Sequence, residues 1–351
     1  MSEKSVIDAC SMNNSDNPIY INLPITIVSE SASGLFSDAC MCISEYGRQS
    51  APRGMTINEL SNVTMTLINP QNNIVDIEAR NISVKYLLAE WLWYVKGDQD
   101  KAGSDFICKY APFWDTLRNP DGSLNSNYGH YFFMRMDEVL PTEEEFKPIS
   151  DYYFQKSQFH YVIDTLLKDR DSRQAVVNIN NVYHKAHPTK DFPCTTAMQF
   201  FIRDNKLHMT VTMRSTDLVL GYCNDVFQFT MFQRIVLNEL NRELRQMNKH
   251  GIAYAEDDGT PMVVGAVNHQ LIKMGTFTLF TTSLHVYERH FKMMENTVHN
   301  REKKKAIPDI MWIYNLSYDD WKSIANNEKN DERIVKYRTS IEEILNCPIT
   351  E

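Results

Sequence analysis

Cys194 stands between Pro193 and Thr195, just before a stretch, Ala197–Arg203, that reads as a strand. A thiol at a strand edge near arginines is able to persist as thiolate, the form that attacks carbon. The bland alternative is a small buried hydrophobe, the commoner fate of a free cysteine. The company of Cys194 speaks for chemistry. Arg214 and Arg173 offer charge to an anion, and His285 with Tyr287 offer hydrogen bonds to hydroxyls. That set suits a phosphorylated sugar, with the thiol as nucleophile.

Glu90 is a second candidate. Three and four residues away on a helix lie Tyr86, Leu87, Trp93 and Tyr94. A carboxylate on an aromatic stripe is poorly hydrated, so its pKa should rise, which suits an acid/base group or a buried polar anchor. A position at the stripe's edge, with the head in water, is the other reading.

Several elements must position these groups. Ser83–Gly97 reads as a helix with a Ser N-cap and a terminal Gly. Ala197–Arg203 and Leu207–Arg214 read as a hairpin turning at Asp204-Asn205, with His208, Thr210, Thr212 and Arg214 on its polar face. A helix over Val226–Met247 repeats Phe229, Phe232, Val236, Leu240 and Leu244 at three and four, and Asp225 to Gln228 fits a capping box with Asp225 as N-cap. Thr276–Tyr287 reads as a strand that projects His285 and Tyr287 from one face. Upstream, the pattern predicts a strand within Tyr20–Val28, a helix over Gly34–Tyr46 ended by Gly47, and strands Leu60–Ile68 and Asn73–Ile77 around a turn. Arg48 and Arg53 lie in a Pro/Gly loop, for which a solvated surface is the default. Residues 112–132 read as loop. A helix over Phe159–Leu167 leads through DSRQ (171–174), which carries Arg173, into a strand over Ala175–Ile179.

Composition bounds the rest. Of 351 residues, 43% are hydrophobic, enough for a sizeable core, and the net charge of −9 argues against a general nucleic-acid binder. Seven cysteines without a CxxC pair read as free thiols in a reduced, cytoplasmic setting. No apolar run is long enough for a membrane span, and no zinc spacing, Walker loop or GxGxxG occurs. The expected organisation is a flexible arm over 1–18, a catalytic domain over 19–300 with an acidic insertion at 135–157, and an extension over 301–351 without an assigned role.

Several motifs resemble the thymidylate synthase family: AEWLWYVKGD (89–98), FWD (113–115), NYG (127–129), DSR (171–173), PCTTAMQFFI from Pro193, MRSTDLVLG from Met213 and LHVY from Leu284. The resemblance implies an α/β fold, a large mixed sheet that dimerises face to face with helices on its other side. It implies 5,10-methylenetetrahydrofolate as co-substrate, no metal, and a homodimer. Cys194 would add to C6 of a pyrimidine. Glu90 would organise proton transfer, with Tyr128 and Asp217 also catalytic. Arg53, Arg214 and Ser215 would hold the 5′-phosphate, with Arg173 reaching the phosphate of the other subunit. Gln199 would lie at the nucleotide, His285 and Tyr287 at the 3′-hydroxyl. Trp114, Asp217 and Gly221 would form the folate seat.

Within that family, SLNSNYG, DFPCT, IRDNK, GYCND and SLHVYERHF are similar to the phage deoxycytidylate hydroxymethylases. Asp225 stands where synthases carry Asn, which implies dCMP as substrate and water as the final acceptor. Thr195, where synthases carry His, implies the same branch. Gln174 departs from the family's second arginine after DS, and the tail offers no evident closing residue over folate. A dUMP hydroxymethylase, a thymidylate synthase and a non-catalytic nucleotide- or RNA-binding homologue remain as alternatives.

Overall fold

The structure is a computed structural model that describes residues 24–135, 156–181, 183–186, 189–250, 252–255, 261–264, 269–329 and 331–349. The arm expected at 1–18 and nearly all of the insertion expected at 135–157 lie outside the described residues.

Alternation of buried and partly exposed residues through the middle of three strands sets the architecture. In β3 (Ile57–Leu67), β6 (Lys206–Met213) and β10 (Lys273–Tyr287), the apolar positions Val63, Met65, Leu67, Met209, Val211, Phe277 and Leu279 are fully buried. A period of two puts them all on one face. These strands pair with β1 (Ile25–Ser29), β2 (Arg48–Ser50), β4 (Val176–Asn178), β5 (Thr195–Arg203) and β7 (Thr216–Asp217) into one eight-stranded sheet. Its main path runs β1-β3-β10-β6-β5-β4, with β2 beside β3 and β7 beside β10. β10 is antiparallel to β3 and parallel to β6, so the sheet is mixed. The β5–β6 turn has left-handed Asp204 (φ 50°) and Asn205 (φ 56°), the conformation that matches a two-residue hairpin to strand twist. The expected α/β fold with a large mixed sheet is the observed one.

Helices cover the buried face. Ser31 caps α1 (Ala32–Tyr46), and Ser83 caps α2 (Val84–Lys96), which ends at left-handed Gly97. Beyond α3 (Lys101–Cys108), Asn127 caps α4 (Tyr128–Phe133). α4 crosses α2 so closely that a Cβ on Gly129 would lie 1.8 Å from the carbonyl oxygen of Tyr94. α5 (Gln158–Lys168) and the single turn α6 (Tyr183–Ala186) precede the central helix, α7 (Cys223–His250). Aromatic rings join the layers: Tyr94 stacks on Phe232 of α7 at 5.8 Å, and Trp91 meets the same ring edge-on at 5.2 Å. A small hairpin, β8 (Ile252–Ala255) with β9 (Pro261–Val264), lies outside the main sheet.

Three expectations change. Asn73–Ile77 is not a strand; it has one bridge, between Ile77 and Lys304, while the Ser33 hydroxyl meets the Ile74 carbonyl and the Asp76 N–H, and the Asn73 side chain donates to Thr230 at 2.7 Å. Residues 112–132 are not all loop, since they hold a 3₁₀ turn (Pro112–Leu117) and the start of α4. The Arg48 loop begins as β2, paired with β3.

The segment after residue 300 is built into the same core. After α8 (Phe291–His299), α9 (Tyr318–Ala325) and α10 (Glu332–Leu345) pack on α2. Trp321 is wholly buried against Trp91, ring centroids 5.9 Å apart, and Tyr318 stacks on Phe133 at 4.4 Å. Asn238 of α7 donates to the carbonyls of Tyr314 and Leu316.

Candidate active site

The apolar face of the sheet turns polar at one end. Going up β10, the face that buries Phe277, Leu279 and Thr281 next presents Ser283, His285 and Tyr287. Across the ladders, Glu59 of β3 and Asp217 of β7 both pair with His285, while Ile57 pairs with Tyr287. The period of two therefore places Asp217, His285 and Glu59 in one row on one face. His285 and Tyr287 rings meet edge-on at 5.2 Å, as their shared face predicts. Above this row opens a cavity of about 850 Å³ lined by Ser50, Arg53, Glu59, Arg214, Ser215 and His285, among others.

One end of the cavity is cationic. Arg53 sits in a 3₁₀ turn (Pro52–Gly54) with left-handed φ of 53°, and is exposed. Arg214 follows the last residue of β6 and is exposed. Its backbone N–H donates to the Cys194 carbonyl at 2.9 Å, and its guanidinium donates to the Phe192 carbonyl at 2.8 Å while lying over the Phe192 ring. The guanidinium thus brackets the loop that carries Cys194. Asp191 fixes that loop from behind, accepting from the backbone N–H of Ser126 at 2.8 Å and from the Ser126 hydroxyl. Ser126 precedes the Asn127-Tyr128-Gly129 turn, so the loop of Cys194 and the start of α4 are locked together.

A buried, acidic cluster that does not line this cavity lies near Cys194. Tyr128 is packed between Tyr94 (5.6 Å) and Phe229 (6.0 Å). Glu90 is only 4% exposed, accepting from Tyr86 Oη at 2.6 Å and Gln228 Nε2 at 3.0 Å. Its head is not in water, so the buried reading holds. Burial pushes Glu90 up to about 8, with nearby Asp225 adding and its two donors opposing. Asp225 itself is pushed up to about 7, by burial first and then by Asp217.

Cys194 is half-buried, near Arg214, Asp225, Asp191 and Arg53. Burial raises its thiol, and the pull of Arg214 and Arg53 does not reverse this. Burial thus works against the thiolate that the two arginines favour. Low dielectric penalises the charge more than two partly solvated arginines reward it.

Asp225 is not a helix cap. α7 begins at Cys223 and continues from a π-type turn, Leu218–Tyr222, so Asp225 falls inside the first turn. Asp217 is the cap instead, its Oδ1 accepting from Val219 and Leu220 N–H at 2.8 and 3.0 Å. Among the described residues, the Asp225 carboxyl and Asp217 Oδ2 carry no hydrogen bond. Gly221 makes room for Asp225, since a Cβ there would lie 3.3 Å from Asp225 Oδ2.

Not every candidate meets at this cavity. Gln199 lies on the opposite, helix-free face of the sheet, its amide donating to the Arg173 carbonyl at 3.0 Å. Arg173 is exposed and makes no ion pair among the described residues. Trp114 is half-buried and donates its indole N–H to Tyr86 Oη at 2.9 Å. Leu220 is 39% exposed and, among the described residues, Asp217 Oδ2 is without a hydrogen bond.

Sequence reading missed Glu59, Ser50 and Ser283. The two hydroxyls donate to Glu59 at 3.0 and 2.7 Å. A charge between polar neighbours on a strand looks solvated until its partner strand is known. It also missed Gln228 as a partner of Glu90, and Asp191, whose position two residues before Pro193 was the available signal. Among the described residues there is no group of three or more His, Cys, Asp or Glu placed to hold a metal, and no helix is long and apolar enough to cross a membrane.

Comparison with known proteins agrees with this arrangement. The architecture is that of a thermostable thymidylate synthase A from Bacillus subtilis, with a TM-score of 0.54 at 17% identity over 81% of this chain and 91% of that one. The family model described as thymidylate synthase matches residues 35–252, more than half of the chain. The chain belongs to the thymidylate synthase family. Its relatives include the thymidylate synthase of Fusobacterium nucleatum, 24% identical over 71% of this chain and 69% of the relative. The deoxycytidylate 5-hydroxymethyltransferase of Enterobacteria phage T4 is 27% identical over 60% of this chain and 70% of the relative. The deoxyuridylate hydroxymethyltransferase of Bacillus phage SP01 is 29% identical over 53% and 46%, respectively. The segment after residue 300 lies outside the matched family region.

Proposed function

We propose that the protein is a deoxycytidylate 5-hydroxymethyltransferase, converting dCMP, methylenetetrahydrofolate and water into 5-hydroxymethyl-dCMP and tetrahydrofolate. The observation that carries the choice of base is Asp225: a carboxyl freed from capping, without a hydrogen bond among the described residues, and pushed up to about 7. A neutral carboxyl has one acceptor and one donor. It accepts from the cytosine N4 amino group and donates to N3, so the pair needs no extra charge.

The co-substrate supplies the one-carbon unit, and the remaining work falls to the chain. Arg53, Arg214 and Ser215 bind the 5′-phosphate, and its negative charge replaces solvent around Arg214. His285 and Tyr287 take the 3′-hydroxyl. Cys194 loses its proton and adds to C6, which places electron density on C5 for attack on the one-carbon unit. Glu90, able to hold a proton up to about pH 8, moves protons at the pyrimidine. Trp114, Asp217 and Gly221 seat the folate. Two copies pair through the helix-free sheet face, where Thr66 and Thr278 meet at 3.2 Å, and Arg173 reaches the partner's phosphate.

One observation favours a second reading. The same neutral carboxyl can donate to O4 of uracil and accept from N3–H, and the SP01 relative is named for deoxyuridylate. Mass analysis of products from dCMP and dUMP separates the two, and reaction of dUMP alone would remove the dCMP assignment. Absence of the absorbance rise that accompanies dihydrofolate separates both from a synthase.

A further inference from the structure

Tyr86 has no role in the resemblance, yet it stands between two residues that do. Its hydroxyl donates to Glu90 Oε1 at 2.6 Å and accepts from Trp114 Nε1 at 2.9 Å. Tyr86 and Glu90 are four apart on α2, so they share a helix face wherever the loops lie. Trp114 comes from the 3₁₀ turn at Pro112–Leu117, a segment with no fully buried residue whose neighbour Phe113 is 58% exposed. A rigid pair on a helix is therefore joined to a half-exposed ring on a surface turn.

The bond directions matter. A phenol has one proton, and here Glu90 receives it, so the bond favours the carboxylate form. Donation from Trp114 to the phenol oxygen strengthens that O–H as a donor, because linked hydrogen bonds polarise one another. Among the described residues only Tyr86 and Gln228 donate to Glu90, and Gln228 is anchored separately to the Leu87 carbonyl at 2.9 Å. The other titratable groups that act on it are Tyr94 on α2 and Asp225 on α7. Among the described residues neither shares a hydrogen bond or a ring contact with Trp114.

We propose that Tyr86 is a positioning residue that couples the proton on Glu90 to the seating of Trp114, the ring assigned to the folate. It deepens the reading above and rests on Glu90 being the acid/base group. When a planar ligand draws the Trp114 N–H away from Tyr86, the phenol donates less strongly, and Glu90 holds its proton to a higher pH. When Trp114 returns, the midpoint falls back. The occupancy of one half of the site thereby sets the pH at which the acid/base group becomes charged.

The test titrates Glu90 in the full-length resting protein by infrared difference spectroscopy, its carboxyl band identified by its loss in Glu90→Gln. Tyr86→Phe keeps the ring and removes the donor, and should raise the midpoint by about one pH unit or more. Trp114→Phe, at a half-exposed position that tolerates change, should raise it by less. The double variant should match Tyr86→Phe alone, because the effect of Trp114 passes through the phenol. An unmoved midpoint in either single variant overturns the proposal, as does full additivity in the double variant. If Tyr86→Phe does not fold, Trp114→Phe alone still decides by its shift. No turnover is required, so failure of both nucleotides to react would remove the proposed function and leave the Tyr86 question answered by the spectra.

Discussion

The cationic cavity and the buried acidic cluster near Cys194 meet opposite electrostatic conditions. At the first, Arg53 and Arg214 are exposed, Arg214 bonded to a backbone carbonyl and Arg53 set in a left-handed turn. At the other, Glu90 and Asp225 are enclosed, and burial keeps protons on both up to about 8 and about 7. A phosphate is charged at every working pH, so a permanent cation suits it. A pyrimidine edge is neutral, so its reader works best as a neutral acid that can donate and accept. Cys194 lies between these regimes, raised by burial and lowered by Arg214. Its activation awaits a ligand that changes that balance.

The contrast can be broken in four places. Removing the group that both regions serve has the largest effect: Cys194→Ser should cut release of the C5 hydrogen by about 10⁴-fold or more, and turnover near the parent rate would end the nucleophile assignment. Next is Asp225→Asn. An amide keeps the size but fixes one donor and one acceptor as uracil wants them. The ratio of kcat/KM for dCMP over dUMP should fall by about 10²-fold or more, and an unchanged ratio would mean that another residue reads the base.

In the cationic region, Arg214→Lys loses the forked donors and should raise KM for the nucleotide by about 10- to 100-fold. Because that region is exposed, KM of the parent should also climb with added salt, whereas selectivity between bases should not. Salt that shifted both equally would erase the distinction between the regions.

The smallest effect is on stability. Folded Glu90 and Asp225 keep protons that the unfolded chain releases near pH 4. The fold therefore binds more protons between those values, and the stabilisation, whole below about pH 4, is lost as pH rises through about 7 to 8. Melting temperature should decline over that window in the ligand-free protein. Glu90→Gln should flatten the decline, and a parallel curve would mean that Glu90 is charged in the fold.

Much of the fold was legible because local rules and tertiary needs agreed. Ser83 and Gly97 bound α2 as expected, the Asp204-Asn205 turn closed the hairpin, and alternation in β10 put His285 beside Tyr287. Sequence reasoning failed where a residue's role depends on a remote neighbour. Asp225 fits a capping pattern, but the π-type turn before it lets the helix start earlier and gives the cap to Asp217. The place of Arg214 beside Cys194 also depends on the partner strand: beyond a register shift in β5 between Thr195 and Ala197, Thr195 pairs with Met213 and the Arg214 N–H bonds the Cys194 carbonyl. The segment after 300 carries no motif for its place. Only the assembled chain shows Trp321 sealed against Trp91, on the helix that also carries Glu90.

By itself, the sequence determined which residues carry reactive groups and which faces of helices and strands those groups occupy, since both follow from residue type and from periods of 3.6 and 2. The tertiary structure decided their states. Whether Glu90 is charged, whether Cys194 rests as a thiol and whether Asp225 is free to read a base depend on burial and on partners from other elements. Desolvation and pairing act through distances of a few ångströms across residues far apart in the chain, and no local pattern encodes them.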